Sequence, residues 1–222
     1  MIIYNKILKD DWMNKKDIDY TCYLVTDHKD KTNEEILNII EEALKGGTSI
    51  VQIREKTAST KDFYELALKV KEITHKYDVP LLINDRLDIA IAIDADGVHI
   101  GQEDMPAQKA REILGEEKII GVSASTIEEA KKAEADGADY IGTGAVFPTA
   151  TKDDAPSITK DDLNEITSSI SIPTVAIGGI TLENAHELKD TGIAGFSVVS
   201  AIMSAENPKE ASEKLREIFN SQ

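Results

Sequence analysis

From Thr21 onward the apolar positions switch repeatedly between two periods. Short runs rich in β-branched and aliphatic residues occur at 22–26, 49–54, 80–84, 97–100, 119–122, 139–142, 173–177 and 195–199, and each reads as a strand. Between them the apolar residues return every three or four positions. Ile36, Ile39, Ile40, Ala43 and Leu44 form one such stripe, and Phe63, Leu66, Ala67, Val70 and Ile73 another; both predict amphipathic helices. Thr32 with Glu35, Thr126 with Glu129 and Asn207 with Glu210 have the spacing of a capping box, and Pro106 and Pro208 suit first-turn positions. Gly46-Gly47, Gly137 and Gly192 follow helical patterns where a left-handed cap is expected, and a strand soon follows each.

Eight strand runs, each followed by a helix or a short helical segment in about 200 residues, is the count for a closed (β/α)8 barrel. A doubly wound open sheet is the competing α/β architecture. It usually has five or six strands and a glycine-rich loop after the first. Here the first strand ends Leu24-Val-Thr-Asp-His28, with no such loop. The expectation is a single-domain α/β chain: a TIM barrel over 21–222 with a short N-terminal extension over 1–20. That extension is polar, with four Lys against four acids, and carries Tyr4 and Trp12.

In this fold chemistry sits at the C-terminal ends of the strands. The second strand reads Ile50-Val-Gln-Ile-Arg-Glu-Lys56, so alternation puts Gln52, Arg54 and Lys56 on one face and Val51 and Ile53 on the other. The apolar face should meet helices and the polar one the barrel axis, where it suits an anion; the bland alternative is charges that snorkel to solvent. The third strand ends Asn84-Asp85 and the fourth leads to Asp104. Adjacent strands lie about 4.8 Å apart, so the two carboxylates can share one hard cation such as Mg²⁺. Taken alone, Asn84-Asp85 reads better as a turn. His99, flanked by apolar residues, reads as a barrel-lining histidine and not a catalytic one.

The fifth strand ends in Ser123, and the loop after the sixth concentrates Thr149, Thr151 and Lys152. After the seventh come Gly178-Gly179 and a helix start beyond Thr181, which offer backbone amides to a phosphate. The eighth carries Val199 and Ser200. Two anion sites emerge: one of Arg54, Lys56, Lys152, Ser123 and a metal, suited to a pyrophosphate, and one mainly of backbone at Gly179 and Ser200, suited to a monophosphate. No serine sits in a GxSxG elbow, and nothing resembles an activated nucleophile.

Composition narrows the partners. With 25 Lys+Arg against 41 Asp+Glu the net charge is −16, which argues against nucleic acid or an anionic membrane surface. A phosphorylated small molecule then has to be met by local cations, and Arg54, Lys56 and Lys152 are such a set. Cys22 is the single cysteine, so no internal disulfide forms and no CxxC site exists. The opening apolar run is too short for a signal peptide, and 89–93 is too short to span a bilayer; the expected location is cytoplasmic. Homo-oligomerisation is left open.

With those residues in hand, the chain resembles the thiamine phosphate synthase family over about 20–220. The matching pieces are Val51-Gln-Ile-Arg-Glu-Lys56, Ile83-Asn-Asp85, Asp96-Gly-Val-His-Ile-Gly-Gln-Glu-Asp104, Gly121-Val-Ser123, Phe147-Pro-Thr-Ala-Thr-Lys152 and Ile177-Gly-Gly-Ile180. The resemblance implies a Mg²⁺-dependent transferase that joins a hydroxymethylpyrimidine pyrophosphate to a thiazole phosphate, carboxylated or not, and releases pyrophosphate. It further implies that Gln52, Arg54, Lys56, Asn84, Ser123 and Lys152 hold the pyrimidine pyrophosphate and that Asp85 and Asp104 bind the metal. Thr149, Thr151, Gly179, Val199 and Ser200 would hold the thiazole phosphate.

Three other readings compete. A thiazole tautomerase on a similar barrel has no need of a pyrophosphate site, so Arg54, Lys56, Asp104 and Lys152 speak against it. A phosphosugar epimerase is permitted by the seventh and eighth strand ends alone. A non-catalytic phosphate-binding barrel is disfavoured by the complete set of cations and carboxylates.

Overall fold

Eight parallel strands close on themselves in chain order, with β8 pairing back onto β1. They are β1 Cys22–Val25, β2 Ile50–Ile53, β3 Leu81–Asn84, β4 Gly97–Ile100, β5 Ile119–Ser123, β6 Tyr140–Thr143, β7 Thr174–Ile177 and β8 Gly195–Val198. This is a computed structural model, and it describes residues 15–29, 31–149 and 157–221. Helices α1 Asn33–Lys45, α2 Thr60–Lys76, α3 Leu87–Ile93, α4 Ala107–Leu114, α5 Ile127–Ala135 and α6 Lys160–Ser169 follow the first six strands. A four-residue 3₁₀ helix, Ala185–Leu188, follows β7, and α7 Ser200–Met203 and α8 Pro208–Asn220 follow β8. The (β/α)8 barrel read from the sequence is therefore present, with strand limits within one residue of those the pattern predicts.

Strand alternation builds two cores. Outward residues such as Leu24, Val51, Ile83, Val98, Ile141 and Phe196 pack with Ile36, Ile40, Phe63, Leu66 and Leu215 of the helices. Inward residues Tyr23, Val25, Ile50, Leu82, Ile119, Tyr140 and Val175 fill the barrel itself. Both faces of every strand are thus covered, which is why the strands read as near-continuous apolar runs. Burial of this apolar surface is the main driving force for the fold.

The helix starts follow the capping chemistry in the sequence, but only the first of the three expected boxes is complete; at the third, Asn207 Oδ1 accepts from the Glu210 amide while the Glu210 carboxylate pairs with Lys214. Thr32 Oγ1 accepts from the Glu35 amide while Glu35 Oε2 accepts from the Thr32 amide, a complete box. Thr126 Oγ1 accepts from the Glu129 amide, but the Glu129 carboxylate reaches Ser125 N instead of Thr126 N. The box there is open on one side.

Residues 15–20 lie at the N-terminal end of the barrel. Tyr20 is buried and its ring centre lies 5.1 Å from that of Tyr140; Ile18 packs against the same inner core. Lys15 Nζ sits 2.8 Å from Asp139 Oδ1, whose other oxygen accepts from Arg111 and from the Ile120 amide. This end is therefore closed by packing and ion pairs. The opposite end, where the strands finish, is open.

Candidate active site

The open end holds a pocket of about 1240 Å³ that continues into solvent, lined by residues from all eight strands or the loops after them. Gln52 and Asn84 are nearly buried on its wall, and Arg54, Lys56, Asp85, Asp104, Ser123, Thr149, Gly179, Val199 and Ser200 also line it. The structure thus gathers eleven of the thirteen site residues expected from the sequence. Thr151 and Lys152 lie outside the described residues.

Alternation explains the cationic wall. Val51 and Ile53 face the helices, so Gln52 faces the axis, and Arg54 and Lys56 continue that side past the strand end. The turn that follows is held by Glu55, whose carboxylate accepts from the Thr57 and Ala58 amides and lies 2.6 Å from His28 Nδ1. Burial works to raise the Glu55 pKa, but those hydrogen bonds and His28 hold it below its ordinary value. The turn carrying Lys56 is thereby tied to the loop after β1.

The Lys56 ammonium pairs with the Asp85 carboxylate. Asp85 adopts φ +62°, in the left-handed region that Asp tolerates better than most residues, directly at the end of β3. Asp104 reaches back from the loop after β4, and its Oδ2 accepts from Gly101 N at 2.7 Å. Burial, together with the neighbouring Asp85 carboxylate, raises the Asp104 pKa; the Gly101 amide and Lys56 oppose this. Two facing carboxylates at a polar mouth are a hard-oxygen donor pair that gains from an added cation. Among the described residues no cluster of three or more His, Cys, Asp or Glu side chains could hold a metal. That donor set fits Mg²⁺, which takes one or two carboxylates and completes its shell with water and phosphate oxygens.

On the far side, Gly178 and Gly179 have φ +99° and +66°. A Cβ on Gly179 would stand 2.5 Å from Pro148 O and 2.7 Å from Phe147 O, so the bare backbone lets the loops after β6 and β7 pack together at the pocket wall. The expected helix start beyond Thr181 differs. The segment is a short 3₁₀ helix beginning at Ala185, and the Thr181 amide donates to Asn184 Oδ1 at 2.8 Å. Asn184 satisfies that amide locally, so the segment does not offer it to a ligand.

Sequence reasoning passed over several pocket residues. Tyr23, Val25 and Ser197 are inward by the same parity that places Gln52, and applying it to β1 and β8 would have found them. His99 does line the barrel, as read, but it also reaches the pocket. Its Nε2 lies 3.0 Å from Ser123 Oγ and its Nδ1 2.8 Å from Tyr140 Oη.

The family model for thiamine monophosphate synthase matches residues 22–202. A thiamine-phosphate synthase of Methanobrevibacter smithii is 66% identical over 202 residues, covering 91% of this chain and 96% of that protein. One of Ruminiclostridium cellulolyticum is 55% identical over 205 residues, covering 92% and 98%. Among solved structures, a thiamine phosphate pyrophosphorylase from Pyrococcus furiosus superimposes with a TM-score of 0.84 at 43% identity, covering 92% of this chain and 97% of that one.

Proposed function

Because the chain belongs to the thiamine monophosphate synthase family and is a transferase of that activity, we propose how its own residues divide the work. Residues 21–222 form the catalytic barrel and 1–20 an extension. Gln52, Arg54, Lys56, Asn84, Ser123 and Lys152 hold a hydroxymethylpyrimidine pyrophosphate. Thr149, Thr151, Gly179, Val199 and Ser200 hold a thiazole phosphate, carboxylated or not. Asp85 and Asp104 hold Mg²⁺. The observation that supports this most is the convergence of Arg54, Lys56, Asp85 and Asp104 on one side of a single pocket, opposite Gly179 and Ser200. A tautomerase-like isomerase would not need that first cluster.

The reaction is a substitution at the methylene carbon of the pyrimidine. Its C–O bond breaks and the electron pair leaves with pyrophosphate; the thiazole nitrogen lone pair then forms the new C–N bond. Pyrophosphate leaves readily only when its charge is met. Mg²⁺ at the two carboxylates would supply part of that neutralisation. Arg54 and Lys56 stand on the same wall and act on the charge that develops as the bond breaks. The attacking nitrogen carries its own lone pair, so no protein base or nucleophile is required, in keeping with the lack of such a group in the sequence motifs. Both substrates share one pocket, so orientation contributes much of the remaining rate.

A loose transition state of this kind carries positive charge on the pyrimidine. An electron-withdrawing substituent on that ring should lower kcat by more than about tenfold, which is about 1.4 kcal/mol of transition-state stabilisation. The KM for the thiazole phosphate should change little. An unaffected kcat, measured where chemistry limits turnover, would instead indicate direct displacement by the thiazole.

Among the described residues no helix is long and apolar enough to cross a membrane. The family's activity and the acidic charge support a small-molecule enzyme, which we assign to the cytoplasm, with homo-oligomerisation open.

A further inference from the structure

A continuous hydrogen-bonded chain runs through the barrel beneath the pocket. Gln52 Nε2 on β2 donates to Tyr23 Oη on β1. Tyr23 Oη and Tyr140 Oη, on β1 and β6, are 2.7 Å apart. Tyr140 Oη is 2.8 Å from His99 Nδ1 on β4, and His99 Nε2 is 3.0 Å from Ser123 Oγ at the end of β5. Both phenols are fully enclosed, with Tyr23 at 1% and Tyr140 at 0% exposure, so bulk water does not complete their hydrogen bonding.

The donor inventory gives this chain a direction. The Gln52 amide nitrogen can only donate, so Tyr23 accepts there and sends its single proton to Tyr140. Tyr140 then sends its own proton to His99 Nδ1. A neutral imidazole that accepts at Nδ1 carries its hydrogen on Nε2 and donates it to Ser123 Oγ. The Ser123 hydroxyl hydrogen is left for the pocket, which Arg54 and Lys56 also line. At the other end the Gln52 amide oxygen is the group left to accept, which suits an exocyclic amine.

The backbone is arranged to admit these rings. A Cβ on Gly121 would lie 2.1 Å from Tyr140 Cζ and 2.3 Å from its hydroxyl oxygen, and one on Gly142 would lie 3.0 Å from His99 Cε1. Both glycines leave inward space that the phenol and the imidazole occupy. If only filling were needed, an apolar ring would serve without leaving polar atoms to be satisfied. Burial raises the pKa of both Tyr23 and Tyr140, which keeps each phenol protonated and able to donate.

We propose that Tyr23, Tyr140 and His99 are positioning residues, forming one directional chain from Gln52 to Ser123 that fixes His99 as the Nε2–H tautomer and presents Ser123 as a donor to an anionic leaving group. This rests on the reading that the pocket takes a pyrophosphate, and it adds the device that orients two of the groups on that substrate.

The test is ¹⁵N NMR of histidine-labelled protein without substrate, with the His99 signals assigned by their loss in His99→Gln. The expected spectrum shows His99 Nδ1 unprotonated and Nε2 protonated; an Nδ1–H tautomer would overturn the chain, whatever the activity. Tyr140→Phe, which keeps the ring, should shift His99 away from the pure Nε2–H form. It should lower kcat about tenfold, as for a weakened hydrogen bond to a charged group, with the KM for the thiazole phosphate within about twofold. Added to Ser123→Ala, it should cost little more, because most of its effect passes through Ser123. Fully multiplicative losses would overturn the proposal. Should Tyr140→Phe not fold, the tautomer in the unsubstituted protein still decides. An unsubstituted protein that makes no product would defeat the functional reading separately.

Discussion

Asp85→Asn and Asp104→Asn should each lower turnover about a hundredfold, the loss of roughly 3 kcal/mol that follows removal of a contact made chiefly in the transition state. Asparagine is the informative replacement at both positions. At 85 it tolerates the φ of +62° that alanine would resist, and at 104 its oxygen can still accept from Gly101 N. What each variant loses is the charge. Each should also raise the Mg²⁺ concentration for half-activity, while the KM for the thiazole phosphate changes little. The double variant should cost scarcely more than either single one, since both disable the same ion. Steady-state kinetics across a Mg²⁺ titration reads all of these quantities. Small, independent effects with an unchanged Mg²⁺ requirement would show that the two carboxylates serve only Lys56 and the local turn.

Gly179→Val has the second large effect, and the structure enlarges what the sequence alone suggests. A branched side chain there meets the left-handed φ of +66° and runs into the carbonyls of Phe147 and Pro148. Left-handed strain of about 1–2 kcal/mol and overpacking of about 1–3 kcal/mol together predict a loss of about 2–5 kcal/mol in stability. For a chain of this size that lowers Tm by roughly 4–20 °C, at about 2–4 °C per kcal/mol. In protein that remains folded, the KM for the thiazole phosphate should rise at least about tenfold, or about 1.4 kcal/mol. Thermal unfolding with kinetics on both substrates separates the two consequences. A normal Tm with an unchanged KM would place the monophosphate elsewhere.

Much of this is legible in the amino-acid sequence. Strand runs bounded by glycines and capping residues set the barrel, because parallel strands buried on both faces leave a strong local signature. Period-two alternation along Ile50 to Lys56 was enough to aim Gln52, Arg54 and Lys56, and the ends of β3 and β4 were enough to pair Asp85 with Asp104. The hydrogen-bonded chain was not legible. Tyr23 and Tyr140 lie 117 positions apart, and their meeting depends on the inward space at Gly121, which no local pattern reports. His99 looked like a barrel-lining residue because its sequence neighbours are apolar; its partners come from β5 and β6. The segment after Thr181 was misread for a different reason. Asn184 takes the amide that would begin a helix, and side-chain competition of this kind is a tertiary choice as much as a local one. Residues 15–20 read as part of an extension that lies on the body or is partly mobile, and Tyr20 and Ile18 pack onto the inner core.

We propose that one pocket brings a metal-neutralised pyrophosphate and a thiazole phosphate together. Purified protein mixed with both substrates and Mg²⁺ should form thiamine phosphate and release pyrophosphate in equal amounts, and chelation of the metal should stop both together. Product no greater than the uncatalysed control, or pyrophosphate release unaffected by removal of Mg²⁺, would contradict it.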